Sequence, residues 1–332
     1  MPVLVVGAGT VGSALATLLA GRGDTVTLVS RSGRGPATPG VRCVPADAAD
    51  ADALAGHARG VSAVVSCVNP GPYQDWEARW PPVAAALLAV AERSGAVLVT
   101  LSNLYGYGPV DGPLHRDLPP AATGNKGRLR ARLWQEALAA HEAGRVRVTE
   151  VRASDFIGPT VPRAGGLLRR YADAALRGRT VWAFGDPDVP HAFSYVPDVA
   201  RTLAAVAGDG RAWGLPWHVP SPPERSVRQT LTDLVAAAPA SLPAPRVRRV
   251  PRPLLTAGAA VVPVLRELGE VLWQTERPFL LDASATTSTF GLRPTPWEEV
   301  VATTARGWAG APMTAADGDG GSARAADDPR LR

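Results

Sequence analysis

The chain has 332 residues, 46% of them hydrophobic, with 35 basic against 30 acidic side chains and a net charge of +5. That length buries a sizeable core and suits two domains, or one large domain with an appended lobe. No apolar run is long enough for a membrane span, a strand rather than a signal peptide opens the chain, and the two cysteines, Cys43 and Cys67, lack metal-ligand spacing, so a reducing cytoplasm is the simple expectation.

Val3-Leu4-Val5-Val6 is a short apolar, β-branched run of the kind that forms a buried parallel strand. Gly7-Ala8-Gly9-Thr10-Val11-Gly12 follows without a gap, Ser13 to Ala20 reads as a helix ended by Gly21-Arg22-Gly23, and Thr25 to Val29 is a second strand. A glycine loop framed by strand, helix and strand is a dinucleotide-binding pattern. Gly7 allows the tight turn, Gly9 lets a pyrophosphate approach the backbone, and Gly12 lets the helix pack close to its strand. The first helical turn, from Thr10 and Val11, offers free N–H groups and a positive dipole end. The second strand ends in Ser30-Arg31-Ser32-Gly33-Arg34 with no carboxylate after Asp24. An acid there would take the ribose hydroxyls of NAD(H), whereas Arg31 and Arg34, with a hydroxyl from Ser30 or Ser32, suit a 2′-phosphate. NADP(H) is therefore favoured over NAD(H); the plainer alternative makes both arginines solvated loop charges.

Further along, Val41 to Val44 is a third strand followed by Asp47, Asp50 to Arg59 a short helix, and Ser62 to Val68 a fourth strand ending at Asn69-Pro70-Gly71-Pro72. Cys67 in that apolar run reads as a small core residue. Asp75 to Ser94 is helical but interrupted at Pro81-Pro82, and Ala96 to Leu101 is the fifth strand. A polar loop over 102–123 leads to a helix from Lys126 to His141, then to a sixth strand, Val146 to Arg152. Past it come helices over 165–177, 197–207 and 226–238, a strand over 180–184, and a proline- and arginine-rich connector over 238–253. An apolar helix over 253–274 follows. The densest basic cluster, Arg246-Val247-Arg248-Arg249, has no interleaved aromatic residues and reads as a solvated loop, so no nucleic-acid partner is expected. The expected class is α/β, a doubly wound parallel sheet of Rossmann type with a smaller C-terminal α/β substrate lobe. The dinucleotide-binding domain covers 1–160, with 190–212 returning to it; the lobe covers 161–308, and a disordered tail covers 309–332.

By Arg152 the pattern resembles the short-chain dehydrogenase/reductase superfamily, in its extended, epimerase/dehydratase-like branch. The resemblance rests on the glycine loop, on Asp47 where that family places an acid near the adenine, and on Val64 to Pro70, with Val68 and Asn69, passing the cofactor ribose. It rests also on Ser102-Asn103-Leu104-Tyr105-Gly106, on Val151 to Pro159 with Asp155 beside the nicotinamide, and on His191 to Ala200, which docks the lobe on the core. Lys126 adds weight, being the only lysine among the 35 basic residues and standing where the family's catalytic lysine stands. A compact ammonium can hydrogen-bond both ribose hydroxyls and lower a neighbouring phenol's pKa, which a guanidinium cannot match in shape. The chain departs from the family at the proton donor: the tyrosine four residues before the lysine is replaced by Ala122, with Thr123 beside it, and the serine-rich segment is one residue short.

Three functions follow from this combination. The first is an oxidoreductase acting on a carbonyl or hydroxyl of a small metabolite or biosynthetic intermediate, its proton supplied by Tyr105, then Tyr107, with Ser102 and Asn103 as further catalytic candidates. For Tyr105, aromatic packing is the equal alternative. The second is a sugar-nucleotide-type epimerase or dehydratase, or a redox-neutral isomerase or cyclase, with His191 or Asp155 as acid or base. The third is a dinucleotide-binding sensor without catalysis. Tyr73, Tyr107, Trp182, His191 and Phe193 are candidates to touch the substrate, while Trp76 and Trp80, one turn apart, suit packing better. A small-molecule substrate, no membrane, no metal and a monomer or homodimer complete the expectation.

Overall fold

The structure, a computed structural model, describes residues 1–309; the expected tail over 309–332 lies, from residue 310 on, outside the described residues. β1 (Pro2–Val6) leads through the glycine loop into α1 (Thr10–Gly21) and β2 (Thr25–Ser30). β3 (Val41–Pro45), α2 (Ala51–His57), β4 (Ala63–Ser66), α3 (Trp76–Ser94), β5 (Val97–Ser102), α4 (Asn125–Glu142) and β6 (Arg147–Arg152) complete the alternation. Next come β7 (Asp155–Ile157), α5 (Leu167–Ala175), β8 (Val181–Ala183), β9 (Pro190–His191), β10 (Phe193–Tyr195), α6 (Val196–Ala207) and β11 (Pro216–His218). The last elements are β12 (Arg225–Ser226), α7 (Val227–Ala236), β13 (Val247–Arg249), α8 (Arg252–Val261), α9 (Pro263–Gly269), α10 (Trp273–Glu276), α11 (Ser284–Phe290) and α12 (Trp297–Ala309).

Seven strands form one sheet in the order β11-β6-β5-β4-β1-β2-β3, every neighbouring pair parallel. The period of a strand then sorts its side chains. Val3 and Val5, Ala63 and Val65, Val97 and Val99 enter one core with α1 and α6. Leu4 and Val6, Val64, and Leu98 enter the other with α2, α3 and α4. Both faces are covered, so the strands read as continuous apolar runs, and the doubly wound α/β class is confirmed. Because all strands run the same way, the loops that follow them share one edge. The order reverses at β1, between β4 and β2, and that crevice is where such sheets take ligands.

Several elements differ from expectation. α3 runs unbroken through Pro81 and Pro82, because both fall near its start and free only the carbonyls of Glu77 and Ala78. The single helix expected over 253–274 is three, and the break between α8 and α9 falls where Val262 precedes Pro263 and is held extended at φ −113°, ψ 104°. The connector contains β13, whose Val247 is buried beside Val181 while Arg248 and Arg249 stay exposed. Trp217-His218, unassigned by pattern, supplies β11, and Trp217 is fully buried. The expected docking segment is built around Asp198, whose buried carboxylate accepts from the Thr295 N–H and hydroxyl, each at 2.7 Å. Among the described residues no helix is long and apolar enough to cross a membrane.

His218 is buried under the sheet edge, where Nδ1 faces the Asp282 carbonyl at 2.8 Å and Nε2 faces the Tyr107 hydroxyl at 2.7 Å. One acceptor and one donor fit a neutral ring, and burial pushes its pKa from 6.5 down to about 4. Below pH 6.5 the unfolded chain takes up a proton that the folded chain refuses until about pH 4, so stability is full above pH 6.5 and falls across that window. The loss should reach roughly 3 kcal/mol at about 1.4 kcal/mol per pKa unit. Denaturant melts of wild type and His218→Gln from pH 7 to pH 4 should show the variant less stable at neutral pH but with a shallower decline; parallel declines would contradict this account.

Candidate functional site

The glycine loop has the shape of a phosphate cradle. Gly7 stands at φ +105°, and a Cβ there would lie 2.8 Å from the Cys67 carbonyl oxygen. A Cβ on Gly12 would lie 1.8 Å from the Gly7 carbonyl oxygen, so α1 touches the strand end with no room for a side chain. A Cβ on Gly9 would meet nothing within 4 Å. The loop is thus closed behind and open in front. Gly9 caps α1 without a side-chain bond, and the first turn, with Thr10 and Val11, carries no acid, so its N–H groups and dipole face the opening unopposed. The Thr10 hydroxyl donates to the Thr160 carbonyl at 3.2 Å. These residues fit a dinucleotide diphosphate. Val68 passes directly behind Gly7, and Asn69 beyond it is exposed.

At the end of β2 the Ser30 hydroxyl donates to the Arg34 carbonyl at 2.8 Å, fixing a turn that leaves Arg31 and Arg34 exposed. The nearest sequence acid, Asp24, lies before β2 and pairs with the N-terminal amine. Asp47 is exposed after β3 and accepts from the Ala49 N–H at 2.9 Å.

Lys126 lies in the first turn of α4 with its side chain 4% exposed. Gly127 makes this placement possible: a Cβ there would lie 2.5 Å from the Tyr105 carbonyl oxygen, so α4 presses against the 3-10 turn Tyr105–Tyr107. The ammonium pairs with Glu267, lies 3.5 Å from Glu270, and stands 5.3 Å from the centre of the Tyr73 ring. Glu270 also accepts from the Lys126 N–H at 3.2 Å. α9 and the residue after it thus bring two carboxylates onto the only lysine, a contact that pattern reading missed. Two glutamates spaced by three residues in a helix share a face, but nothing in their sequence names the partner.

Position 122 lies before α4, which begins at Asn125 after the Gly124 cap, so Ala122 is not one helical turn from Lys126 on a common helix. Phenols arrive instead from two other loops. The Tyr73 and Tyr105 hydroxyls are 2.7 Å apart, and the Tyr105 ring stacks on Trp76 at 6.2 Å. Trp76 and Trp80 are buried in the packing role expected of them. Burial pushes both phenols above the ordinary range, and the Asp155 carboxylate nearby reinforces this. The Asn103 side chain accepts from the Tyr105 N–H at 3.2 Å, while Ser102 is buried and donates to the Asn103 carbonyl at 3.3 Å. Behind this loop lies a buried ion pair, Arg152 with Glu150 at 2.7 Å, and Arg130 stacked 4.1 Å over Trp80.

Asp155 and His191 meet at 3.0 Å, Asp155 from the start of β7 and His191 from β9. Phe193 is buried with its ring 4.8 Å from the His191 ring, which places it in the wall behind that pair. Tyr107 is fully buried with its hydroxyl on His218, so it joins a different cluster from Tyr105. Trp182 is 52% exposed beside Arg248 and is not brought to the other site residues. Lys126, Tyr73, Tyr105, Asp155 and His191 are the predicted residues that converge.

A model of the family described as NAD-dependent epimerase/dehydratase matches residues 3–214. No curated protein matches the sequence. Among solved structures, the dTDP-glucose 4,6-dehydratase DesIV of Streptomyces venezuelae, a double mutant holding NAD, is similar at 23% identity and TM-score 0.73, over 93% of this chain and 97% of that one. The UDP-glucose 4-epimerase of Thermus thermophilus, in complex with NAD, is similar at 20% identity and TM-score 0.73, over 94% of this chain and 100% of that one. The UDP-glucose 4-epimerase of Thermotoga maritima, with UDP-glucose, is similar at 18% identity and TM-score 0.72, over 92% and 97% of the two chains.

The two glycines should separate folding from ligand binding. Gly12→Ala should destabilise by about 3 kcal/mol, the upper range for overpacking, because its Cβ meets backbone. Gly9→Val should leave the melting temperature nearly unchanged yet remove the thermal shift caused by a nicotinamide dinucleotide. A stable Gly12→Ala, or a Gly9→Val variant that still shifts, would contradict the cradle.

Proposed function

This chain belongs to the NAD-dependent epimerase/dehydratase family, and from that premise we propose that it is an NADP(H)-dependent oxidoreductase acting on a carbonyl or hydroxyl of a small metabolite or biosynthetic intermediate. The observation that carries the reading is the buried Lys126 ammonium beside the Tyr73–Tyr105 phenol pair, on the same sheet edge as the glycine cradle. A nicotinamide dinucleotide bound there supplies or accepts a hydride at its nicotinamide ring. Thr10 and Val11 N–H groups would hold the diphosphate, and Lys126 would hold the nicotinamide ribose. Tyr105, oriented by Tyr73, offers a hydroxyl to the reacting oxygen.

The NADP(H) preference rests on the end of β2. No carboxylate stands there to repel a phosphate, and the two exposed guanidiniums of Arg31 and Arg34 flank the turn. The solved relatives above that hold a dinucleotide hold NAD, so this is a preference of this chain's own residues. A small substrate is favoured over a nucleotide diphosphate because three of the lobe's arginines are already committed to one carboxylate. Arg163, Arg169 and Arg177 all turn to Asp173, at 2.9, 3.2 and 3.2 Å.

Isothermal titration should give tighter binding of NADPH than NADH, and Arg31→Ala should weaken NADPH about 10-fold, the worth of one charge-assisted contact, with NADH unaffected. Equal affinities in the wild type would remove the phosphate argument. NADPH consumption against a panel of aldehydes and ketones should fall at least ~100-fold in Lys126→Ala, as for loss of a group positioned at the reacting centre. No consumption by the wild type with any carbonyl, alongside firm binding of an unchanged dinucleotide, would overturn the oxidoreductase reading.

A further inference from the structure

We propose that Asp155 and His191 form a proton-holding couple that serves as the acid and base of this site, in place of the phenol absent at position 122. The inference deepens the oxidoreductase reading and rests on it for its substrate.

His191 is 2% exposed, and its ring lies between Phe193 at 4.8 Å and Phe279 at 5.0 Å. Its two nitrogens each face oxygen. Nδ1 is 3.1 Å from the Gln274 backbone carbonyl, and Nε2 is 3.0 Å from Asp155 Oδ2. A carbonyl only accepts, so Nδ1 carries the proton of the neutral ring. Nε2 then meets a carboxylate oxygen lone pair to lone pair unless a second proton lies between them. That proton can sit on nitrogen, as imidazolium with carboxylate, or on oxygen, as neutral imidazole with carboxylic acid. Either way the couple holds one proton more than its parts would as a neutral ring and a free carboxylate.

The other fully enclosed histidine shows the contrast. His218 faces one acceptor and one donor, so a single ring proton satisfies it. Among the described residues, His191 faces two acceptors. The couple also has an outlet. Its inner end is sealed by the two phenylalanine rings, whereas the Asp155 side chain is 46% exposed and close enough for its charge to act on both Tyr73 and Tyr105. Those phenols share one hydrogen bond and hold their protons, so they orient a substrate oxygen. The exchangeable proton beside them belongs to Asp155 and His191.

In the reductive direction the carbonyl carbon receives hydride from a reduced nicotinamide dinucleotide, and the carbonyl oxygen receives the couple's proton through the Asp155 carboxyl. The carboxyl O–H bond breaks, its electron pair stays on Asp155, and the alcohol O–H bond forms. The discharged couple, a carboxylate against a bare ring nitrogen, takes one proton from water. In the oxidative direction the same discharged couple accepts the proton of a substrate hydroxyl.

The test is proton NMR of the full-length protein with 15N-labelled histidine, without cofactor. We expect a strongly downfield, exchange-protected proton with cross-relaxation to the Phe193 and Phe279 rings, absent in Asp155→Asn and in His191→Gln. Absence of that resonance in the wild type overturns the couple whether or not any substrate is found. In turnover assays Asp155→Asn should bind NADPH within about twofold of wild type while carbonyl reduction falls ~100-fold, the range for loss of a general acid, and Asp155→Glu should recover part of it. Wild-type reduction with undiminished rate in Asp155→Asn overturns the couple's role while leaving the oxidoreductase reading intact. Wild-type protein that binds but reduces nothing sinks that reading instead, and the resonance still decides the couple.

Discussion

The contact on which everything else hangs is the closeness of α1 to the end of β1. Gly12 sits against the Gly7 carbonyl with a gap that excludes even a methyl group. That contact aims the uncapped start of the helix into the crevice where the strand order reverses. Parallel pairing does the rest. With every strand running one way, the ends of β1, β2, β4, β5 and β6 all deliver their following loops to one edge. Glycine cradle, basic turn, both phenols and Asp155 are thereby collected without any of them being near another in sequence.

The Lys126 end of this edge is governed by a small number of polar groups that must satisfy one another. Lys126 is too buried to rely on water, and the α9 segment provides Glu267 and Glu270 as its counter-charges. In the proposed complex a ribose diol would compete with those carboxylates for the same three ammonium donors, and α9 would have to share or yield Lys126. Behind the loop carrying Ser102 to Tyr107, Arg130 donates to the Leu101 carbonyl just before it, and Arg152, paired with Glu150, lies over the Tyr107 ring. In the proposed reaction the proton passes through Asp155 and His191, which meet at 3.0 Å with the Asp155 side chain 46% exposed.

Much of this is legible in the amino-acid sequence. The apolar β-branched runs announced six parallel strands, and the framed glycines announced the cradle, because both are consequences of local sterics. The scarcity of lysine marked Lys126 for the same chain position that the fold then buries. What stayed hidden depends on contacts between distant elements. Tyr73 and Tyr105, 32 residues apart, become a hydroxyl pair only when β4 and β5 lie side by side. Glu267 and Glu270 look like solvent-facing residues of an apolar segment until α9 crosses to α4. Tyr107, the second candidate donor after Tyr105, lies two residues along a 3-10 turn that carries its hydroxyl to His218 and into another core cluster. Trp182, an attractive pocket residue by type, lies at the alternate, outward position of a three-residue strand.

The central claim is that one adenine dinucleotide spans this edge, with its diphosphate on the first turn of α1 and its nicotinamide ribose on Lys126. The most direct measurement is a crystal structure of the protein with NADPH bound. The account predicts diphosphate oxygens on the Thr10 and Val11 N–H groups, the 2′-phosphate against Arg31, and the Lys126 ammonium on the ribose hydroxyls with Glu267 drawn away. Density for the dinucleotide elsewhere, or a bound dinucleotide that leaves the Lys126–Glu267 pair intact and out of reach of the ribose, would contradict it.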